Sequence, residues 1–170
     1  MSVLTFPETG LLAQDDTQKF PLGFEITFPA DFALVDEDTT TYPIVDRGAR
    51  TFVYVYNDSG ATLAARYMMR RKAGEARARA LIGDATTERE GFLGIPMCDI
   101  ADLKYGFVQK KGPAYWIGDA GNDQVNSGVM CNAAGECDAA AGVMVAGRVL
   151  GWAFASDGGA AVAVPVHIDI

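Results

Sequence analysis

Few side chains in this 170-residue chain have the types and spacing for catalysis. His167 is the only histidine. A Ser-His-acid relay would have to join it to Ser2, Ser59, Ser127 or Ser156. None of these serines stands in the Gly-x-Ser-x-Gly turn that exposes a nucleophile. Cysteine catalysis would need Cys98, Cys131 or Cys137 beside the same His167. The acidic run Asp36-Glu37-Asp38 lacks the alternating ligands, central glycine and distant glutamate of a calcium loop. No glycine loop for phosphates is present, because the 19 glycines form no Gly-x-Gly-x-x-Gly run and no Lys-Ser/Thr ending. Cys131 and Cys137 bracket NAAGE, where a bridge or a shared metal is conceivable, but no further Cys or His lies near enough in sequence to complete a tetrahedral site. Reduced thiols are expected in a cytosol. The expectation is a non-enzyme: no catalytic residue, no metal and no cofactor.

What remains is a set of residues suited to contact. Net charge is −8, and the imbalance is local. Residues 1–48 carry nine acids against Lys19 and Arg47, whereas residues 66–79 carry six bases (Arg66, Arg70, Arg71, Lys72, Arg77, Arg79) against Glu75. An acidic molecule with one basic stretch lacks the broad cationic face that phosphate backbones require, so no direct nucleic-acid partner is expected. The basic stretch reads as a solvated face or as contact with an acidic protein partner. Trp116, Trp152 and the tyrosines could form a ligand platform, although aromatics at strand spacing serve core or interface.

The elements that must position these residues are strands. Abundant glycine and alanine disfavour long helices. The apolar runs are too short for a membrane span, and Met1 leads into a polar, proline-containing stretch, so synthesis in a cytosol and no membrane partner are expected. Residues 1–30 read as an extended arm. Pro7, Pro21 and Pro29 deny it a helix, while Phe6, Leu11, Leu12, Phe20, Phe24 and Phe28 call for burial on its own domain or on a neighbour. Residues 31–170 read as one β-rich domain, a small sandwich or barrel. RTFVYVY at 50–56 is the strongest strand, and NDSG ends it. EARARALIGD reads equally as strand or short helix. LKYGFVQKKGPAYW at 103–116 reads as a hairpin turning at KKGP, with Lys110 and Lys111 projecting. Pro165 in the last strand implies an edge or a bulge.

Two groups of these segments resemble the capsid decoration (cement) proteins of tailed bacteriophages. KFPLGFE followed by DRGARTFVYVYNDSGATLAARYMM is similar to an N-terminal pattern in that family. YGFVQKKGPAYW, VNSGVM, AAGECDAA, RVLGWAFA and AVAVPVHIDI are similar to the C-terminal one. Together they cover 75 of the 170 residues, and their order and spacing carry the likeness. Outside these segments, the arm at 1–30, the acidic 31–46 and the basic 66–79 have no counterpart in the pattern.

The resemblance implies a β-rich, often trimeric protein on the outer surface of a virion, synthesised in the host cytoplasm. Its partner would be the major capsid protein, and its role to cement capsid subunits against the outward pressure of packaged DNA. Contact candidates are Phe6, Leu11, Leu12, Phe20, Phe24, Arg66, Arg70, Arg71, Lys110 and Lys111. A head-fibre base or tail-associated protein is the alternative of the same make-up. A small trimeric β hydrolase would need motifs that the sequence lacks, and a ligand-binding β-barrel is a third option.

Overall fold

A computed structural model describes residues 11–30, 48–75, 78–83, 91–118, 128–132, 134–139, 150–153 and 163–170. Ten strands lie within them: β1 (Glu25–Phe28), β2 (Arg50–Asn57), β3 (Met69–Arg71), β4 (Arg79–Ile82), β5 (Phe92–Pro96), β6 (Tyr105–Ile117), β7 (Gly128–Cys131), β8 (Cys137–Ala139), β9 (Gly151–Ala153) and β10 (Ala163–Asp169). No α-helix occurs among the described residues. The mainly-β expectation holds.

The pairings close a ring. β2 lies parallel to β4, β4 antiparallel to β3, β3 to β5, β5 to β6, and β6 returns to β2. Alternation along the strands decides what faces inward. Val53 and Val55 of β2 and Val108 of β6 join Leu63, Met69, Ala78, Ala80, Leu93 and Ile100 in one buried cluster that fills this small barrel. Phe52, Tyr54 and Phe107, one residue out of phase, face outward into a second cluster with Leu11 and Phe28.

β4 resolves the strand-or-helix alternative for EARARALIGD in favour of strand. Alanine, arginine and leucine favour helix as isolated residues. ARARA also has a period of two, however, and Ala78 and Ala80 are buried while Arg79 between them is partly exposed. A narrow ring needs small side chains at its inward positions, and tertiary packing overrides propensity.

The hairpin expected at 103–116 is not one. Tyr105–Ile117 is a single strand of 13 residues whose two halves pair with different partners. Residues 105–111 pair with β2, and residues 111–117 pair with β10. A register shift between Thr51 and Phe52 leaves Lys110 as the extra residue of a bulge. Gly112 has a φ of 94°, and a Cβ there would lie 2.2 Å from the carbonyl oxygen of Ala49. The Gly-Pro pair therefore bends the strand rather than reversing it. The buried Gln109 side chain spans the bend, donating from Nε2 to the carbonyls of Lys111 (3.2 Å) and Pro113 (2.5 Å).

Beyond the bend β6 enters a second layer, in the order β6-β10-β9-β7-β8. Its core joins Trp116, Val129, Leu150, Val166 and Ile168 to the barrel residues Met68, Phe92 and Ile95. Trp116 is fully buried and donates from Nε1 to the carbonyl of Gly135 at 2.8 Å, which makes it core rather than a ligand platform. β10 is an interior strand between β6 and β9, not an edge. Pro165 stands opposite Tyr115 of β6.

Residues 11–28 also differ from an arm standing apart from the core. β1 pairs with β2, Asp15 bridges to Tyr105, and Leu11 is completely buried. The apolar side chains of this segment find their burial on the outer face of the barrel, the domain's own surface. Phe6 and the acidic run at 36–38 lie outside the described residues.

Gly112→Ala should destabilise the fold by ~1–3 kcal/mol from the backbone conformation alone, with the Ala49 contact adding to it. Urea unfolding measures this. An unchanged midpoint would show that the bend does not depend on glycine.

Candidate functional site

Among the described residues, the chemistry-bearing side chains that the structure brings together are Cys131 and Cys137, cross-strand partners in β7 and β8. His167 is half-buried in β10, opposite Pro113 and Trp152. Ser59 belongs to the turn that ends β2: Asn57 Oδ1 accepts from the Ser59 amide at 3.0 Å and from its hydroxyl at 2.7 Å. Asn57 Nδ2 closes the same turn on the carbonyls of Ala61 and Ile100, both at 2.7 Å. Ser2, Ser127 and Ser156 lie outside the described residues. No group of three His, Cys, Asp or Glu side chains among the described residues could hold a metal. Cys98 is mostly buried, and burial, then Asp99 and Asp15, pushes its thiol up to about 11. A thiol in that state is a poor nucleophile at neutral pH.

The contact candidates fare differently from one another. Leu11 is wholly inside the chain's own core and has no surface to offer. Leu12 and Phe20 are partly buried against the same cluster. Phe20 is the hub of an aromatic layer, with ring centroids 5.3 Å from Phe24, 5.3 Å from Tyr54 and 5.6 Å from Phe107. Phe24 stacks on it with its outer side open at 37% exposure. Arg66 has a φ of 67°, and its backbone ties β5 to β6, donating to Pro96 and accepting from Ile117, both at 2.9 Å. Arg70 donates from Nε to the carbonyl of Ile82 at 3.1 Å. Lys110 pairs with Glu25 at 2.6 Å and Lys111 with Asp169 at 3.0 Å. The two lysines therefore brace strand ends rather than cap a turn.

Two clusters hold this surface in shape. In the first, buried Asp15 accepts from the Tyr54 hydroxyl at 2.9 Å and pairs with Lys19, whose backbone amide donates to the same hydroxyl at 3.2 Å. Tyr54 is fully buried, and its phenol is held well above its ordinary range, first by burial and then by the carboxylate. This hydrogen-bonded set fastens residues 15–19 to β2, and no charge position in the sequence announced it. In the second, Asp58 accepts from Lys72 at 2.7 Å and Arg79 at 2.8 Å, which hold its carboxyl below the ordinary 3.8. The Arg79 guanidinium also lies over the Tyr56 ring, 5.5 Å from its centroid.

Arg71 and Lys110 come together with the N-terminal segment at one place. An open cleft of about 380 Å³ lies at β1; Leu22, Gly23, Glu25, Arg71 and Lys110 line it together with the buried Val53, Phe92 and Leu93. Such a cleft can take an apolar side chain flanked by a carboxylate. Leu103 stands elsewhere, 58% exposed at a φ of 61°, a conformation unusual for leucine that no sequence signal revealed.

Taken together, these features define a small closed barrel extended through a bent strand into a second sheet, and overlaid by its own N-terminal segment. A solved structure of the same fold is the N base of the head fiber gp8.5 of bacteriophage phi29, with a TM-score of 0.52 at 12% sequence identity. The match covers 69% of this chain and 94% of that one. At that identity the likeness is one of fold. No protein-family model and no curated protein matches the chain.

Two variants probe the clusters. Tyr54→Phe removes a buried donor from Asp15 and should cost about 1–3 kcal/mol, with faster proteolysis within residues 11–22. Cleavage and stability identical to wild type would mean that the set does not fasten the segment. A carboxyl held below its ordinary value stabilises the fold above that value, and this contribution is lost as pH falls through the folded pKa. Acid unfolding below pH 3.8 should therefore be shallower in Asp58→Asn, and a superimposable acid limb would remove Asp58 from the account.

Proposed function

We propose that this chain is a structural component of a tailed-phage head and serves as the base of a head fibre. The observation that carries the reading is the fold likeness, which spans 94% of the head-fibre base chain. It is supported by the resemblance of 75 residues to proteins of the phage head exterior. Both lines favour the head surface, and the fold favours a fibre base over the cementing role that the sequence resemblance implies. The molecule suits such a task physically. A base must pass load between the shell and whatever projects from it, and two cores joined through one strand resist being peeled apart. In this reading it is not an enzyme, its partner is the major capsid protein, and it assembles as a homo-oligomer with trimer favoured.

The second reading is capsid decoration without a fibre, favoured by the motif order in the sequence. An electron cryomicroscopy map of the particle separates the two. Density for this chain beneath a projecting fibre supports the base, and density on the shell with nothing projecting supports decoration. Its absence from the head overturns both.

The cleft beside β1 is the attachment surface in this reading. Arg71→Glu, at an exposed position, should leave the melting temperature unchanged. It should weaken co-sedimentation with heads about tenfold, most at low salt, as expected for a charge at an interface rim. Undiminished binding would move the attachment surface elsewhere.

A further inference from the structure

We propose that Cys131 and Cys137 are a latent disulfide, closed after folding when the chain meets an oxidising medium, which locks the β7–β8 hairpin at the turn that docks on the barrel. The sequence places the two thiols at either end of NAAGE, and the structure makes them direct cross-strand partners. Both are reduced.

The hairpin geometry sets the kind of pair they form. The Gly135 amide donates to the carbonyl of Asn132 at 3.3 Å, Gly135 has a φ of 81°, and the Asn132 amide donates to the carbonyl of Glu136 at 2.9 Å. This is the three-residue hairpin loop closed by a glycine bulge. Asn132 and Glu136 are the hydrogen-bonded pair, so Cys131 and Cys137, the next pair out, are non-hydrogen-bonded. Such pairs hold their Cα atoms about 4.5 Å apart with side chains close together, inside the roughly 4.4–6.8 Å reach of a disulfide. Both side chains point into the same core cluster, with Trp116 and Met68.

The position matters because this turn is where the second layer meets the barrel. The Gly135 carbonyl accepts from the Met68 amide and from Trp116 Nε1, both at 2.8 Å. Asn132 rigidifies the turn, its Oδ1 accepting from the amides of Ala134 (2.8 Å) and Glu136 (3.0 Å). A covalent link across the first pair of the hairpin would stop the strands from separating and so keep that docking carbonyl in place. Cys98, with its thiol pushed up to about 11, is a weak competitor for exchange.

Glutathione disulfide is a sufficient oxidant. The Cys131 thiolate attacks one of its sulfurs and expels a glutathione thiolate, giving a mixed disulfide. The Cys137 thiolate then attacks the Cys131 sulfur and expels the second. Two cysteine thiols are oxidised, one glutathione disulfide is reduced to two thiols, and the two cysteine protons pass to the departing thiolates. Cys131 is 6% exposed and Cys137 is fully buried, so exchange waits on local opening of the hairpin and is slow. The head-surface reading gives the chemistry an occasion, since a virion leaves the reducing cytosol at lysis.

The test uses the full chain, purified under reductant and then held in glutathione disulfide. Peptide mapping should show a 131–137 link with Cys98 still alkylatable. The melting temperature should rise by several degrees over the reduced chain. The double variant Cys131→Ala/Cys137→Ala should show no such rise, and if it does not fold, the wild-type map decides alone. Glutathione adducts without the intramolecular link, a link involving Cys98, or a linked form that melts no higher would each overturn the proposal. Head binding, measured in parallel on the reduced chain, reports on the head-surface reading separately.

Discussion

Everything in this molecule depends on one strand passing through a bend. β6 contributes its first half to a closed ring and its second half to the order β6-β10-β9-β7-β8, whose last strand returns to bridge Gly118 at the end of β6. A strand cannot serve two sheets of different direction without interrupting its ladder, and each interruption leaves backbone groups to satisfy. Here the interruption is confined to Lys110–Pro113. A bulge absorbs the register, Gly112 supplies the backbone angle, and the Gln109 amide donates to the carbonyls of Lys111 and Pro113. Burying an amide is costly unless it is hydrogen-bonded. At full burial the Gln109 amide nitrogen takes the place of ladder donors at the bend, while its Oε1 has no hydrogen-bond partner among the described residues.

The consequence is mechanical. The barrel core and the second core meet along β6 and again at Met68, Phe92 and Ile95, which belong to ring elements but pack under the second layer. The N-terminal segment adds a third layer on the opposite face of the ring strands, held by stacked aromatics and by the Asp15–Tyr54 bond. Three thin cores, each too small to be stable by itself, reinforce one another through β2 and β6.

Much of this was legible from residues 50–56, whose alternation of Val with Phe and Tyr divides the inner from the outer core. Residues 110–113 were misread as a reversal. Lys-Lys-Gly-Pro has the composition of a turn, and only long-range pairing with β10 decides that it bends instead. ARARA was ambiguous for a related reason, since its helix propensity and its period of two disagree and the ring's narrow interior settles the matter. The contact candidates were read from residue type alone, which cannot tell an apolar side chain covering its own barrel (Leu11) from one facing outward (Phe24). The pairing of Lys110 with Glu25 spans 85 positions and follows from topology, not from any local pattern.

Native-state hydrogen exchange, read amide by amide, tests most directly whether the bent strand makes one unit of two sheets. Amides of β2 in the ring and of β10 in the second layer should open with the same free energy, equal to that of global unfolding. In Gln109→Ala both should fall together. Separate opening of β10 at a lower free energy, with β2 still protected, would contradict the account.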